Sequence, residues 1–168
     1  MEKKVKRYFL DYIFDKTEIV LDLSRNFKIE KDTTKNFELN KFFYKQIGKD
    51  HFWRDRLVWT DKEWRKYISN KNFETWIMKK ENELVGYYER EYHVDKNEVE
   101  LINMGVLREF RGQKLGSNLL THVLKKAREE KVSRVWVHTC SLDHQNALKN
   151  YKSRNFKIFK EEQIDFVA

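Results

Sequence analysis

Residues 98–130 read EVELINMGVLREFRGQKLGSNLLTHVLKKAREE, and this stretch decides the fold. Glu100, Ile102, Met104 and Val106 recur with period two, the period of a strand with distinct faces. Leu119, Leu120, Val123, Leu124 and Ala127 then fall on one stripe, which predicts an amphipathic helix over 116–130. Between strand and helix lies a basic loop, 107–115, holding Arg108, Arg111 and Lys114. The chain has only 5 glycines, and Gly105, Gly112 and Gly116 are three of them. Glycine costs backbone entropy, so a glycine-poor chain keeps it where a side chain does not fit. The N–H groups that open a helix have no intrahelical partner. Together with the helix dipole they attract an anion. A phosphate-binding turn is one reading of these glycines, and ordinary turn chemistry is the other. Two nucleotide motifs fail on spacing: no Gly-Lys-Ser/Thr follows a glycine at the required interval, and no G-x-G-x-x-G occurs.

Working outward, the chain reads as mixed α and β. Residues 5–14 and 18–23 alternate apolar and polar across Asp15-Lys16-Thr17, which predicts a β-hairpin. A short strand is expected at Phe27 and Ile29, and a helix over 36–47 ending at Gly48. Thr60 and Glu63 make a capping pair for a second, short helix. Strands are expected at 73–80, 83–93 and 97–106. After the long helix, Val135–Val137 predict a buried strand. Asp143 is placed to cap a helix running to Arg154, and 156–160 should form a last strand. The expected organisation is an N-terminal hairpin extension, 1–25, on a single domain, 26–168.

Composition narrows the classes. The 168 residues have no proline, are 40% hydrophobic and 15% aromatic, and suit one folded domain. One cysteine, Cys140, excludes an intrachain disulfide and a multi-thiolate metal site. His138 and His144 with one thiol make a poor zinc set, so no metal is expected. No apolar run reaches a membrane span, and the acidic residues Asp11 and Asp15 interrupt any signal-peptide core. A reducing cytoplasm is the expected compartment. The net charge of +8 raises nucleic acid as a partner. Lysine outnumbers arginine 24 to 11, as in a lysine-rich composition, and 13 basic against 4 acidic residues lie in 105–160. That clustering around the glycine turn favours a small anionic ligand over nucleic acid.

With its flanks, this turn resembles motif A of the GNAT superfamily of N-acetyltransferases: a strand, then Arg/Gln-x-x-Gly-x-Gly/Ala, then a helix. Arg111 matches the first position and Gly116 the last, while Lys114 stands where the motif has its first glycine. Asn146 and Tyr151, followed by Asn155-Phe156, match the family's Asn-x-x-x-x-Tyr helix and Gly-Phe. The resemblance is strong over 73–162, moderate over 48–72 and absent over 1–25. It implies a GNAT fold, an α/β arrangement with a mixed sheet. It implies acetyl-CoA as acyl donor, bound in part by Arg111 and Tyr151, with pyrophosphate on the amides of Gly112, Gln113, Lys114, Leu115, Gly116 and Ser117. The pantetheine arm would run between two splayed strands, past Met104, Val106 and Asn146. Direct transfer of an acetyl group to an amine of a small molecule or peptide follows, by a monomer or homodimer. A non-catalytic acyl-CoA-binding module is the alternative, prompted by Lys114.

Amide formation from a thioester needs an amine that has lost a proton, a donor to the oxyanion and a proton for the leaving thiolate. Glu100, eleven residues before Arg111, is the expected general base, since burial in a central strand would raise its pKa. Tyr151 is the expected general acid. Cys140 is read as a small buried hydrophobe rather than an acyl carrier. Glu89, Glu91 and Glu100 hint at a cationic acceptor, with His51, Trp53 and His138 near its wall.

Overall fold

The computed structural model describes residues 2–143 and 145–167. Seven strands form one sheet in the order β2-β3-β4-β5-β6-β1-β7, with all neighbours antiparallel except β5 and β6. In chain order they are β1 (Glu2–Ile13), β2 (Phe27–Lys31), β3 (Phe73–Lys80), β4 (Glu83–His93), β5 (Glu98–Val106), β6 (Arg134–Cys140) and β7 (Lys157–Val167). The helices are α1 (Phe37–Gly48), α2 (Asp61–Ile68), α3 (Leu115–Glu129) and α4 (Gln145–Ser153).

The expected amphipathic helix is α3, whose Leu119, Leu120, Val123 and Ala127 are fully buried. A Cβ on Gly86 would strike Gly105 O and touch Leu119, and one on Gly105 would strike Ile47. Adjacent strands thus need glycine for close approach, and α3 and α1 cover opposite faces of the sheet. Phe43 of α1 stacks on Tyr87 of β4, with centroids 4.7 Å apart. The Thr60 cap forms as expected, its Oγ1 accepting from Glu63 N–H at 3.2 Å.

The N-terminal hairpin does not form. β1 lies within the sheet, hydrogen-bonded to β6 on one edge and β7 on the other. Both of its edges are occupied, so residues 18–23 have none to pair with despite their alternation. Residues 14–26 contain no strand. Arg128 at the end of α3 donates to the carbonyls of Thr17 and Asp15, the latter at 2.7 Å. The last strand is also longer than expected, because it pairs along nearly all of β1.

Two irregularities position the site. β5 and β6 pair only from Glu98↔Arg134 to Leu101↔Val137, then part. Arg134 closes the joined end, bonding Glu98 at 2.8 Å and Asp11 at 2.9 Å. In the β4–β5 pairing, Glu89 faces Asn103 but Arg90 faces Leu101, so Ile102 is an extra, bulged residue. A bulge shifts the period-two phase by one residue. The sequence alternation put Glu100, Ile102, Met104 and Val106 on one face. In the structure Asn103, not Met104, shares a partner face with Glu100.

Candidate active site

The parting of β5 and β6 opens a cleft of about 590 Å³. Met104, Gly105 and Val106 line one wall, the turn from Arg111 to Ser117 its base, and Asn146, Ala147, Asn150 and Tyr151 of α4 the other. Asn118 N–H, bonded to Lys114 O at 3.1 Å, closes the first turn of α3. The amides preceding it form the unpaired helix start. Above Gly112 and Gly116 the space within 4 Å of a Cβ is open. This cradle fits a pyrophosphate, since charged oxygens can approach the backbone there.

Lys114 is the departure from motif A, and it takes the conformation a glycine would: φ 60°, ψ 20°, left-handed. The left-handed region costs a non-glycine residue about 1–2 kcal/mol, yet the turn is kept. Lys114 side chain makes no capping bond and lines the cleft. Arg111 lines the cleft and is also held by groups of the protein itself. It donates to Val106 O at 3.3 Å and pairs with Asp50 at 3.1 Å, while its Nη2 is buried with no partner among the described residues. Arg108 also binds Asp50, and its hydrogen bonds hold that carboxyl below its ordinary pKa. Part of the expected phosphate charge is therefore spent fastening the loop after α1. Gln113 is exposed and does not line the cleft. Ser117 lines it and accepts from Arg154 at 2.9 Å. Lys149, which sequence reasoning passed over, lines it too; its signal was only a lysine three residues after the motif asparagine.

A second cavity, of about 370 Å³, adjoins the first. Tyr44, Trp53, Trp59 and Tyr67 line it from α1, the following loop and α2, while Glu100, Ile102, Asn103, His138 and Cys140 line it from the sheet. His51, Met104, Asp143 and Tyr151 line both cavities, so the two meet there. Glu100 accepts or shares a proton with His93 Nε2 at 2.9 Å. Burial pushes the Glu100 carboxyl above its ordinary pKa, His93 opposes this, and the nearby Glu91 adds to it. Burial likewise drives the Tyr151 phenol well above its usual range.

Glu89 is not part of an acceptor surface. It is fully buried, 2.9 Å from Arg56, and accepts from Asn40 at 2.7 Å and Asn103 at 2.8 Å. The Arg56 guanidinium sits among Tyr44, Trp59, Trp64 and Tyr67, 4.5–5.5 Å from each ring centroid. This pair locks the loop between α1 and α2 onto the sheet and so builds the second cavity. Nothing in the sequence spacing links position 56 to 89. Asp143, expected as a helix cap, binds His51 Nδ1 at 2.6 Å and accepts from Thr139 at 3.0 Å. His144 lies outside the described residues. Among the described residues no group of three or more histidine, cysteine or carboxylate side chains is arranged to hold a metal ion.

A strand splayed from its parallel neighbour, with a glycine turn and a helix N-terminus at the opening, is the arrangement that motif A builds. The sequence comparison agrees, because the family model described as Acetyltransferase (GNAT) family matches residues 34–156. The chain belongs to the GNAT family. Its fold is that of solved GNAT structures. It superposes on a GCN5-related N-acetyltransferase from Sphaerobacter thermophilus with TM-score 0.74 and 12% identity, over 96% of this chain and 50% of that one. It therefore spans half the length of that protein. An aminoglycoside acetyltransferase, meta-AAC0020, from an uncultured soil metagenomic sample matches with TM-score 0.65 and 19% identity, over 88% and 97% of the two chains. Arabidopsis thaliana Naa50, solved with the bisubstrate analogue CoA-Ac-MVNAL, matches with TM-score 0.61 and 22% identity, over 80% and 85%. A comparison with curated proteins returns no match. No helix among the described residues is long and apolar enough to cross a membrane.

Proposed function

We propose that this GNAT protein transfers the acetyl group of acetyl-CoA directly to an amine, on a small molecule or a peptide. The observation that carries the proposal is the meeting of two cavities at Met104 and Tyr151. One has the open amide cradle for pyrophosphate; the other has a half-buried carboxylate, Glu100, among aromatic side chains. Acetyl-CoA in the first would bring its thioester to the junction, with pantetheine along β5 and Asn146 beside it. An amine in the second would lie near Glu100.

The acceptor arrives as an ammonium ion and reacts only after losing a proton. Glu100, its pKa raised by burial, takes that proton through water and passes it outward by way of His93 and Glu91, which lie 3.6 Å apart. The neutral amine attacks the thioester carbonyl. Tyr151, kept protonated by burial, offers its hydroxyl to the departing sulfur. The aromatic wall of Trp53, Trp59 and Tyr67 suits an amine carried on an apolar group.

The test is CoA release from acetyl-CoA with a panel of apolar amines, polyamines, amino acids, aminoglycosides and peptides. Turnover that collapses in Glu100→Gln supports the proposal. Calorimetric binding of acetyl-CoA without turnover on any acceptor would favour a non-catalytic acyl-CoA module. Salt-dependent binding to nucleic acid without CoA binding would overturn both.

A further inference from the structure

We propose that His51, oriented by Asp143, is a second catalytic residue that carries the last amine proton to the CoA sulfur. The inference rests on the acetyl-transfer reading above. His51 belongs to the loop after α1 and Asp143 to the segment before α4, 92 positions apart, yet Nδ1 and Oδ1 are 2.6 Å from one another. Thr139 donates to the other oxygen of Asp143. We take Asp143 as the acceptor of the short bond, which places a proton on His51 Nδ1 and makes Nε2 the basic nitrogen of the ring. Both side chains are mostly buried, with relative exposures of 15% and 19%. Both line the cleft and the adjoining cavity, where donor and acceptor would meet.

The reaction has a place for such a group. An ammonium acceptor loses two protons in becoming an amide, and the thiolate gains one. Glu100 accounts for the first. Attack forms the C–N bond, and the nitrogen then bears a positive charge and a proton to lose. His51 Nε2 takes that proton, and Asp143 stabilises the imidazolium. As the carbonyl re-forms, the C–S bond breaks and the sulfur takes the proton from His51. The imidazole ends neutral, as it began, and the one proton released leaves through Glu100. Tyr151 is ill-suited to this transfer, because a phenol whose pKa burial has raised gives a hydrogen bond more readily than a proton. The relay is the base-then-acid duty a carboxylate-oriented histidine can perform. Asp143 acts here as a positioning residue.

The proposal can be tested at equilibrium, with CoA itself as probe and no acceptor. In the complex with CoA, the thiol is titrated by the ultraviolet absorbance of its thiolate. A neighbouring imidazolium lowers the thiol pKa by about one unit or more. The thiol of bound CoA should therefore ionise at lower pH in the native protein than in His51→Ala, with each protein saturated with CoA as judged by calorimetry. His51→Gln, which keeps a side-chain hydrogen bond but cannot carry a proton, should behave as His51→Ala does. Asp143→Asn should shift the titration in the same direction by less. Identical thiol titrations in all four proteins, with CoA bound, would overturn the relay and leave the acetyl-transfer reading standing. Failure of the native protein to bind CoA would overturn both.

Discussion

The cleft and the cavity it opens into are built by opposite means. The cleft is mostly backbone: one turn, one helix start and one strand edge, contributed by residues 104–117 with a wall from α4. The cavity is mostly side chain, drawn from β1, α1, the loop after it, α2, β5 and β6. A turn built from backbone amides needs only the local conformation, and Lys114 takes the left-handed conformation where the motif has glycine. An acceptor recognised through side chains depends on a buried scaffold, and that scaffold is Arg56 on Glu89.

The largest effect should come from that scaffold. Arg56→Ala leaves the buried Glu89 with Asn40 and Asn103 but without its cation, and breaking a buried ion pair in this way costs about 3–5 kcal/mol. Urea unfolding should show it; a loss within about 1 kcal/mol would mean that the aromatic cage, not the ion pair, holds the loop. Next is Glu100→Gln, expected to lower kcat about 10²-fold or more while acetyl-CoA binding is kept. A loss of binding in place of turnover would move Glu100 from the acceptor side of the comparison to the donor side. Gly116→Ala should act on the cleft alone. The methyl group enters space the phosphate needs, so acetyl-CoA affinity should fall about tenfold. The fold should meanwhile gain up to about 1 kcal/mol, since alanine is the better helix residue. Calorimetry and unfolding of the same sample separate the two. Lys114→Gly should relieve the left-handed strain and add about 1 kcal/mol to stability. The smallest effect is on pH dependence. Glu100 works as a carboxylate, so kcat should fall as pH drops through its raised pKa. His93→Gln removes the partner that lowers this pKa, so the acid limb of kcat against pH should move upward.

The same contrast explains what could be read in advance. The β5–turn–α3 unit was legible from spacing and motif, and Arg111, Gly116, Asn146 and Tyr151, matched to the motifs, line the cleft, because each is placed within a few residues of its neighbours. The hairpin was misread because alternation marks a strand but not its partner. β1 could pair with a turn-linked neighbour or with β6 and β7, and the sheet takes the latter. Glu89 read as an acidic surface residue because nothing local reveals that Arg56 reaches it. His51 and Asp143 were noted for position and capping, but their bond joins loops far apart in sequence.

What the sequence by itself determined is the cleft: a strand, a glycine-containing turn and a helix, whose form is that of the local backbone. Only the tertiary structure decided the second cavity. The bulge at Ile102 changes which β5 side chains face the cavity. The insertion of β1 brings Val5 and Arg7 to its wall. The ion pair from Arg56 to Glu89 and the contact from His51 to Asp143 exist only once distant segments are packed together. Side-chain sites depend on contacts that close long loops, and no local pattern encodes which loops will close.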